Sequence, residues 1–117
     1  MTGLAEVIRA LSSREGVRAA VLLSADGLPI EHAGAEPVEP ETVAALAATL
    51  AQHGGRLGEG AGQGELRTAV LEFADGAVVL ARVGSGDWLA VLARPDADLG
   101  ALLYDLRHHR AALGPLL

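Results

Sequence analysis

The sequence predicts an α+β sandwich, five antiparallel strands between helical layers in the order α-β-β-α-β-β-β-α. Three observations carry that expectation. The apolar run Val17 to Leu23 breaks at Ser24-Ala25-Asp26-Gly27 and resumes as Leu28 to Ala33, which reads as a strand, a tight turn and a return strand. Three later runs, Glu65 to Phe73, Ala77 to Val83 and Asp87 to Arg94, are separated only by Ala74-Asp75-Gly76 and Gly84-Ser85-Gly86, a spacing that makes an antiparallel meander. Segments of helical period precede, divide and follow these two sets. Neither Val17 to Leu23 nor Trp88 to Ala93 alternates apolar with polar strictly, so the sheet has to be covered on both faces by the helices.

Each element has a local reason. Thr2 can cap a first helix whose apolar positions Leu4, Val7, Ile8 and Leu11 follow the i, i+3, i+4, i+7 spacing, and Gly16 ends it. Pro29 has no N–H to give a ladder, so the return strand belongs at a sheet edge and the first strand lies further in. Gly34 to Pro40 reads as a loop, with Pro40 suited to the first position of the next helix.

That second helix, about Pro40 to Leu57, carries Val43, Leu46, Ala47, Leu50 and Leu57 on one side, and this side is expected to pack on the sheet. A second stripe, Ala44, Ala48, Ala51 or Gln52, and Gly55, consists almost wholly of small residues. Either it admits another helix at close range, so that Ala48→Arg would disrupt a helix pair while the fold survives, or it reflects only the helix propensity of Ala. Gly54 to Gly64 holds six glycines in eleven residues. A dinucleotide loop would follow a strand and open a helix, whereas this run follows a helix and leads into a strand, so it reads as a flexible connector after a helix C-cap.

In the meander, the uninterrupted Trp88 to Ala93 is expected at the centre and the mixed Glu65 to Phe73 at an edge. A long bare edge is a pairing liability that a second copy of the chain could cover. Pro95 stops the meander, Asp96 or Asp98 caps the last helix, and Leu99, Leu102, Leu103, Leu106 and Leu113 give it an apolar face that Gly114-Pro115 ends.

Composition excludes much. At 117 residues the chain is read as one domain, 1–117, with a core built from Ala, Leu and Val because aromatics make up only 3%. There is no Cys, so disulfides, thiolate metal sites and cysteine nucleophiles are ruled out. Nine Arg, no Lys and fifteen Asp and Glu give a net charge of −6. Without Lys neither a Walker-type phosphate loop nor a Schiff base can be built. The one basic cluster, Arg107-His108-His109-Arg110, suits the C-terminal end of a helix better than a nucleic-acid surface. No apolar run approaches the length of a membrane span and no signal peptide precedes the first helix, so the chain is read as cytoplasmic, with no membrane insertion.

No catalytic set emerges. His108 and His109 diverge by about 100° on a helix and cannot chelate one metal, while His32 and His53 read as solvated or capping residues. None of the serines stands in a Gly-x-Ser-x-Gly elbow, and Asp26 and Asp75 are accounted for by their Ala-Asp-Gly turns. No cofactor is expected.

Three segments, Val17 to Ile30, Glu65 to Glu72 and Leu89 to Gly100, together resemble in register the roadblock domains, the group that includes dynein light chains and bacterial MglB-type proteins. The resemblance implies a roadblock-like sandwich and a homodimer joined through the second helix and third strand. Interface positions would be Ala44, Ala48, Ala51, Gln52 and Gly55 on the helix and Leu66, Thr68 and Val70 on the strand. Family members of the bacterial kind bind Ras-like small GTPases, in some cases stimulating hydrolysis without adding a catalytic residue, and others are scaffolds in motors or signalling complexes. Carried over, this places partner contacts at Ala45, Thr49, Gln52 and Arg56. The expected function is thus a non-enzymatic regulator or scaffold of a Ras-like GTPase, with a small-ligand sensor or a structural subunit of a larger complex as the alternatives.

Overall fold

The computed structural model describes residues 3–35 and 37–116, with 109–113 described by backbone alone. The elements are α1 (Leu4–Ser12), β1 (Val17–Leu23), β2 (Pro29–Gly34), α2 (Pro40–Gly60), β3 (Thr68–Phe73), β4 (Gly76–Val83), β5 (Asp87–Ala93) and α3 (Leu99–Leu113), followed by a 3₁₀ turn at Gly114–Leu116. All strand pairs are antiparallel and the sheet order is β2-β1-β5-β4-β3. The expected order of elements is therefore the observed one. β5, apolar from Trp88 to Ala93, lies at the centre, Pro29-bearing β2 at one edge and mixed β3 at the other.

Alternation along the strands splits the core in two. Val17, Ala20, Leu22, Val79, Leu89 and Val91 face α1 and α3, where Val7, Ile8, Leu11, Leu102 and Leu106 cover them. Val21, Leu23, Leu80, Trp88 and Ala90 face α2. Each fully buried Val or Leu of this kind contributes about 1.5–3 kcal/mol of transfer free energy. A salt bridge between Arg14 and Asp105 links the end of α1 to α3.

Local chemistry sets the boundaries. The β1–β2 turn closes with the Gly27 N–H on the Ser24 carbonyl at 2.9 Å, and Ser24 Oγ accepts the Leu28 N–H at 3.2 Å. Gly27 takes φ +86° there, and a Cβ on it would stand 3.3 Å from the Ala45 Cα, so α2 passes directly over the turn. Asp98 caps α3 by accepting the Ala101 N–H at 3.0 Å. The N-cap position of α1 is Gly3, and α1 ends at Ser12, four residues before Gly16, as Ser12 and Ser13 hydroxyls fold back onto the Arg9 carbonyl. The roles expected of Thr2 and of the side chains of His109, Arg110 and Leu113 lie outside the described residues.

Two expectations about the glycine-rich run need correction. The helix does not stop near Leu57 but runs to Gly60, and the connector begins only at Ala61. Gly54, Gly55, Gly58 and Gly60 keep negative φ inside the helix, whereas Gly62, at φ +71°, turns left-handed and ends it. The Gln63 N–H reaches the Gly58 carbonyl at 2.7 Å and the Gly62 N–H the Glu59 carbonyl at 3.1 Å, the two bonds of a Schellman stop. The four helical glycines together cost α2 about 3–4 kcal/mol relative to alanine. Two of them have a packing reason: a Cβ at Gly54 would lie 2.7 Å from Leu66 Cδ2, and one at Gly58 2.5 Å from the Gly64 carbonyl oxygen. The returning chain lies in the groove these glycines leave. Because Leu66 is held against Gly54, the third strand starts at Thr68 instead of Glu65.

Candidate interaction surface

The site develops from α2, whose two apolar rows go opposite ways. Ala44, Ala48 and Ala51 are 0%, 6% and 6% exposed and pack on Val21, Leu23, Leu80, Trp88 and Ala90 of their own sheet. They cannot receive a helix from outside, which corrects the expected interface role of all three. The row expected to bury itself is largely outside: Val43 and Ala47 are half-buried, but Leu46 and Leu57 are 65% and 74% exposed and Leu50 is on the boundary at 36%. The reason is volume. The sheet under α2 already supplies Leu23, Leu80 and Trp88, and the helix crosses Gly27 in van der Waals contact, so only small side chains fit between.

The outward leucines do not stand alone. Paired positions Ala69–Leu80 and Leu71–Val78 put Ala69 and Leu71, with Phe73, on the α2 face of β3. Two grooves of about 280 and 540 Å³ run between α2 and β3, and Leu50 and Leu71 line both. The first is walled by Val43, Leu46, Phe73 and Val78, the second by Leu57, Leu66 and Ala69; among the described residues no charged side chain lines either. Phe73 is 60% exposed. Sequence reasoning missed Leu71 and Phe73 although the period-two alternation Ala69, Leu71, Phe73 was available.

Of the remaining expected interface positions, Leu66 borders the second groove, and Thr68 and Val70 share the face opposite α2, opposite Ala81 and Val79 of β4. Gly55 is half-buried and Gln52 exposed. Ala45, Thr49, Gln52 and Arg56 form one exposed row on the other flank of α2. Gln52 and Arg56 rim a cleft floored by Ala51 and Trp88, across which Arg82 pairs with Glu65 at 3.3 Å. Both ends of that pair reach solvent, so it adds little stability. Among the described residues no group of three or more His, Asp or Glu could hold a metal ion, and no helix is long and apolar enough to cross a membrane.

A helix-covered sheet with an apolar face running out to one bare edge defines a small α+β domain whose distinctive feature is a surface. The chain belongs to the Roadblock/LC7 domain family, whose description matches residues 4–93. A Roadblock/LC7 domain from Streptomyces avermitilis is 32% identical, superposes with a TM-score of 0.89 and is covered over 97% of both chains. MglB from Myxococcus xanthus is 21% identical with a TM-score of 0.88, over 96% of this chain and 92% of that one. An MglB in a tetrameric arrangement is likewise 21% identical with a TM-score of 0.88, over 99% and 92%. A search of curated proteins finds no significant match. At such identities the two MglB likenesses establish the fold alone.

Proposed function

We propose that the chain is a cytoplasmic, non-enzymatic binding module that forms a homodimer through α2 and β3 and, as that dimer, regulates or scaffolds a small Ras-like GTPase. The observation that carries the dimer is the face made by Leu46, Leu50, Leu57, Leu71 and Phe73 beside the unpaired edge of β3. An apolar patch next to a bare strand is the surface a soluble protein leaves open for association. A second copy meets both needs at once: antiparallel pairing of two β3 edges about a two-fold axis satisfies their N–H and C=O groups and sets one leucine row against the other. The tetrameric arrangement named for one structural relative supports association of such domains with themselves.

The GTPase half rests on membership in the roadblock family and on the exposed row Ala45, Thr49, Gln52 and Arg56, which carries polar and charged groups beside the apolar face. The absence of Lys and Cys, together with the lack of any metal-holding group of His, Asp or Glu among the described residues, supports a binding role over Schiff-base, thiol or metal catalysis. Two α2 helices related by a two-fold axis present one composite surface, so a GTPase straddling the axis excludes a second copy. Two chains per GTPase are expected.

Sedimentation from nanomolar to high micromolar concentration should show the 11.9 kDa chain doubling in mass. Titration calorimetry against a Ras-like GTPase encoded beside this chain, loaded with GDP or a non-hydrolysable GTP analogue, tests the partner. Tighter binding of one loaded form is expected, because switch loops order around the γ-phosphate. Equal affinities leave a passive scaffold, and no binding removes the GTPase half.

A further inference from the structure

The bare edge of β3 carries its own complement. The Arg82 N–H donates to the Arg67 carbonyl at 2.9 Å, and from there the register with β4 runs Thr68–Ala81, Ala69–Leu80, Val70–Val79 and Leu71–Val78. Hydrogen-bonded and non-bonded positions alternate along an antiparallel pair, so Arg67, Ala69, Leu71 and Phe73 bond inward to β4. The N–H and C=O groups of Thr68, Val70 and Glu72 therefore lie in the plane of the sheet and point to its unpaired side. A second β3 that joins antiparallel about a two-fold axis normal to the sheet must set outward-bonding residues opposite outward-bonding residues. The axis then passes through one residue paired with its own copy, and the possible registers differ in which residue that is.

We infer that the axis passes through Val70. Centred there, Thr68 lies opposite the partner's Glu72 and Ala69 opposite the partner's Leu71, so every outward N–H and C=O of the strand finds a mate. Centred on Leu71, Thr68 falls opposite Ala74, beyond the end of the strand; centred on Ala69, Glu72 falls opposite Leu66, before the strand begins. Centred on Glu72, two carboxylates face each other across the axis, and like charges directly opposite destabilise a sheet. Side chains select the same register. On the α2 face a small Ala69 receives a large Leu71 on each side of the axis. On the other face Val70, 43% exposed in the protomer, covers its own copy, and the Thr68 hydroxyl can donate to a Glu72 carboxylate. This register rests on the homodimer reading above and adds a specificity determinant to it: residues 68–72 decide which copies of the fold this chain accepts.

The chain has no cysteine, so single introduced cysteines read the register directly. Directly opposed residues of a hydrogen-bonded pair have Cα atoms about 5.5 Å apart, within disulfide reach, whereas copies of a residue displaced by two or more positions lie beyond about 7 Å. With oxidised glutathione as the oxidant, and at concentrations where sedimentation shows the dimer, Val70→Cys should cross-link at least tenfold faster than Leu71→Cys or Glu72→Cys. Charge supplies a second readout. Thr68→Arg, opposite the partner's Glu72 on both sides of the axis, should tighten the dimer about fivefold, and Thr68→Glu should weaken it about as much. Faster linking at Leu71→Cys or Glu72→Cys, no linking at any of the three, or a Kd indifferent to charge at position 68 overturns the register and leaves the homodimer standing. A single 11.9 kDa species at every concentration overturns both.

Discussion

The alanine row and the leucine row of α2 lie on one helix, and the less hydrophobic of the two is the one inside. Ala44, Ala48 and Ala51 are buried, while Leu46 and Leu57 face outward. By transfer free energy alone the leucines belong in the core, at a gain of about 1–2 kcal/mol each over alanine. What reverses the order is where the bulk of the inner layer comes from. Sheet residues Leu23, Leu80 and Trp88 fill it from below, and contact with Gly27 holds the helix low, so a leucine row turned inward would overlap the strands. A small-residue stripe on a helix marks close approach, and here the partner in that approach is the protein's own sheet.

Substitutions on the two rows should separate them sharply. Ala48→Arg gives the largest effect: an unpaired guanidinium forced between α2 and the β1–β2 turn beneath it should lower the unfolding free energy by about 4 kcal/mol in urea titration. A folded, stable Ala48→Arg variant that merely fails to dimerise would reverse the assignment of the rows. The double change Leu50→Asp, Leu57→Asp comes next. It should weaken the dimer at least 100-fold, corresponding to about 3 kcal/mol, while the dilute protomer unfolds within about 0.5 kcal/mol of the parent chain. Equal loss of protomer stability in that variant would mean that the leucines support the fold. The smallest effect sharpens the comparison at the end of the helix. Gly58→Ala should destabilise by about 1 kcal/mol despite the gain in helix propensity, because its Cβ would meet the Gly64 carbonyl oxygen at 2.5 Å.

Much of the architecture was legible because it depends on neighbours in sequence. Pro29 announced an edge, the apolar Trp88 to Ala93 a centre, the mixed Glu65 to Phe73 another edge, and each lies where its local chemistry requires. The glycine run was legible only in part. Composition reads Gly54 to Gly64 as a flexible connector, and only backbone angles distinguish the helical Gly54, Gly55, Gly58 and Gly60 from the left-handed Gly62 that ends the helix. The site was less legible than the fold. The exposed row Ala45, Thr49, Gln52 and Arg56 follows from helical spacing, yet the apolar face joins Leu46, Leu50 and Leu57 to Leu71 and Phe73 across more than ten residues of intervening chain. No local pattern connects them.

The sequence by itself determined the number, order and type of the elements, the antiparallel meander and the two sheet edges, since strand period, turn chemistry and proline act within a few residues. It also determined what chemistry is impossible, because Lys and Cys are absent from the whole chain. Tertiary structure alone decided which face of α2 is buried, where that helix ends, and that Leu71 and Phe73 share a surface with the outward leucines. Those outcomes depend on the volume left between helix and sheet and on the path of the returning chain at Gly64 and Leu66, quantities that exist only once distant segments have met.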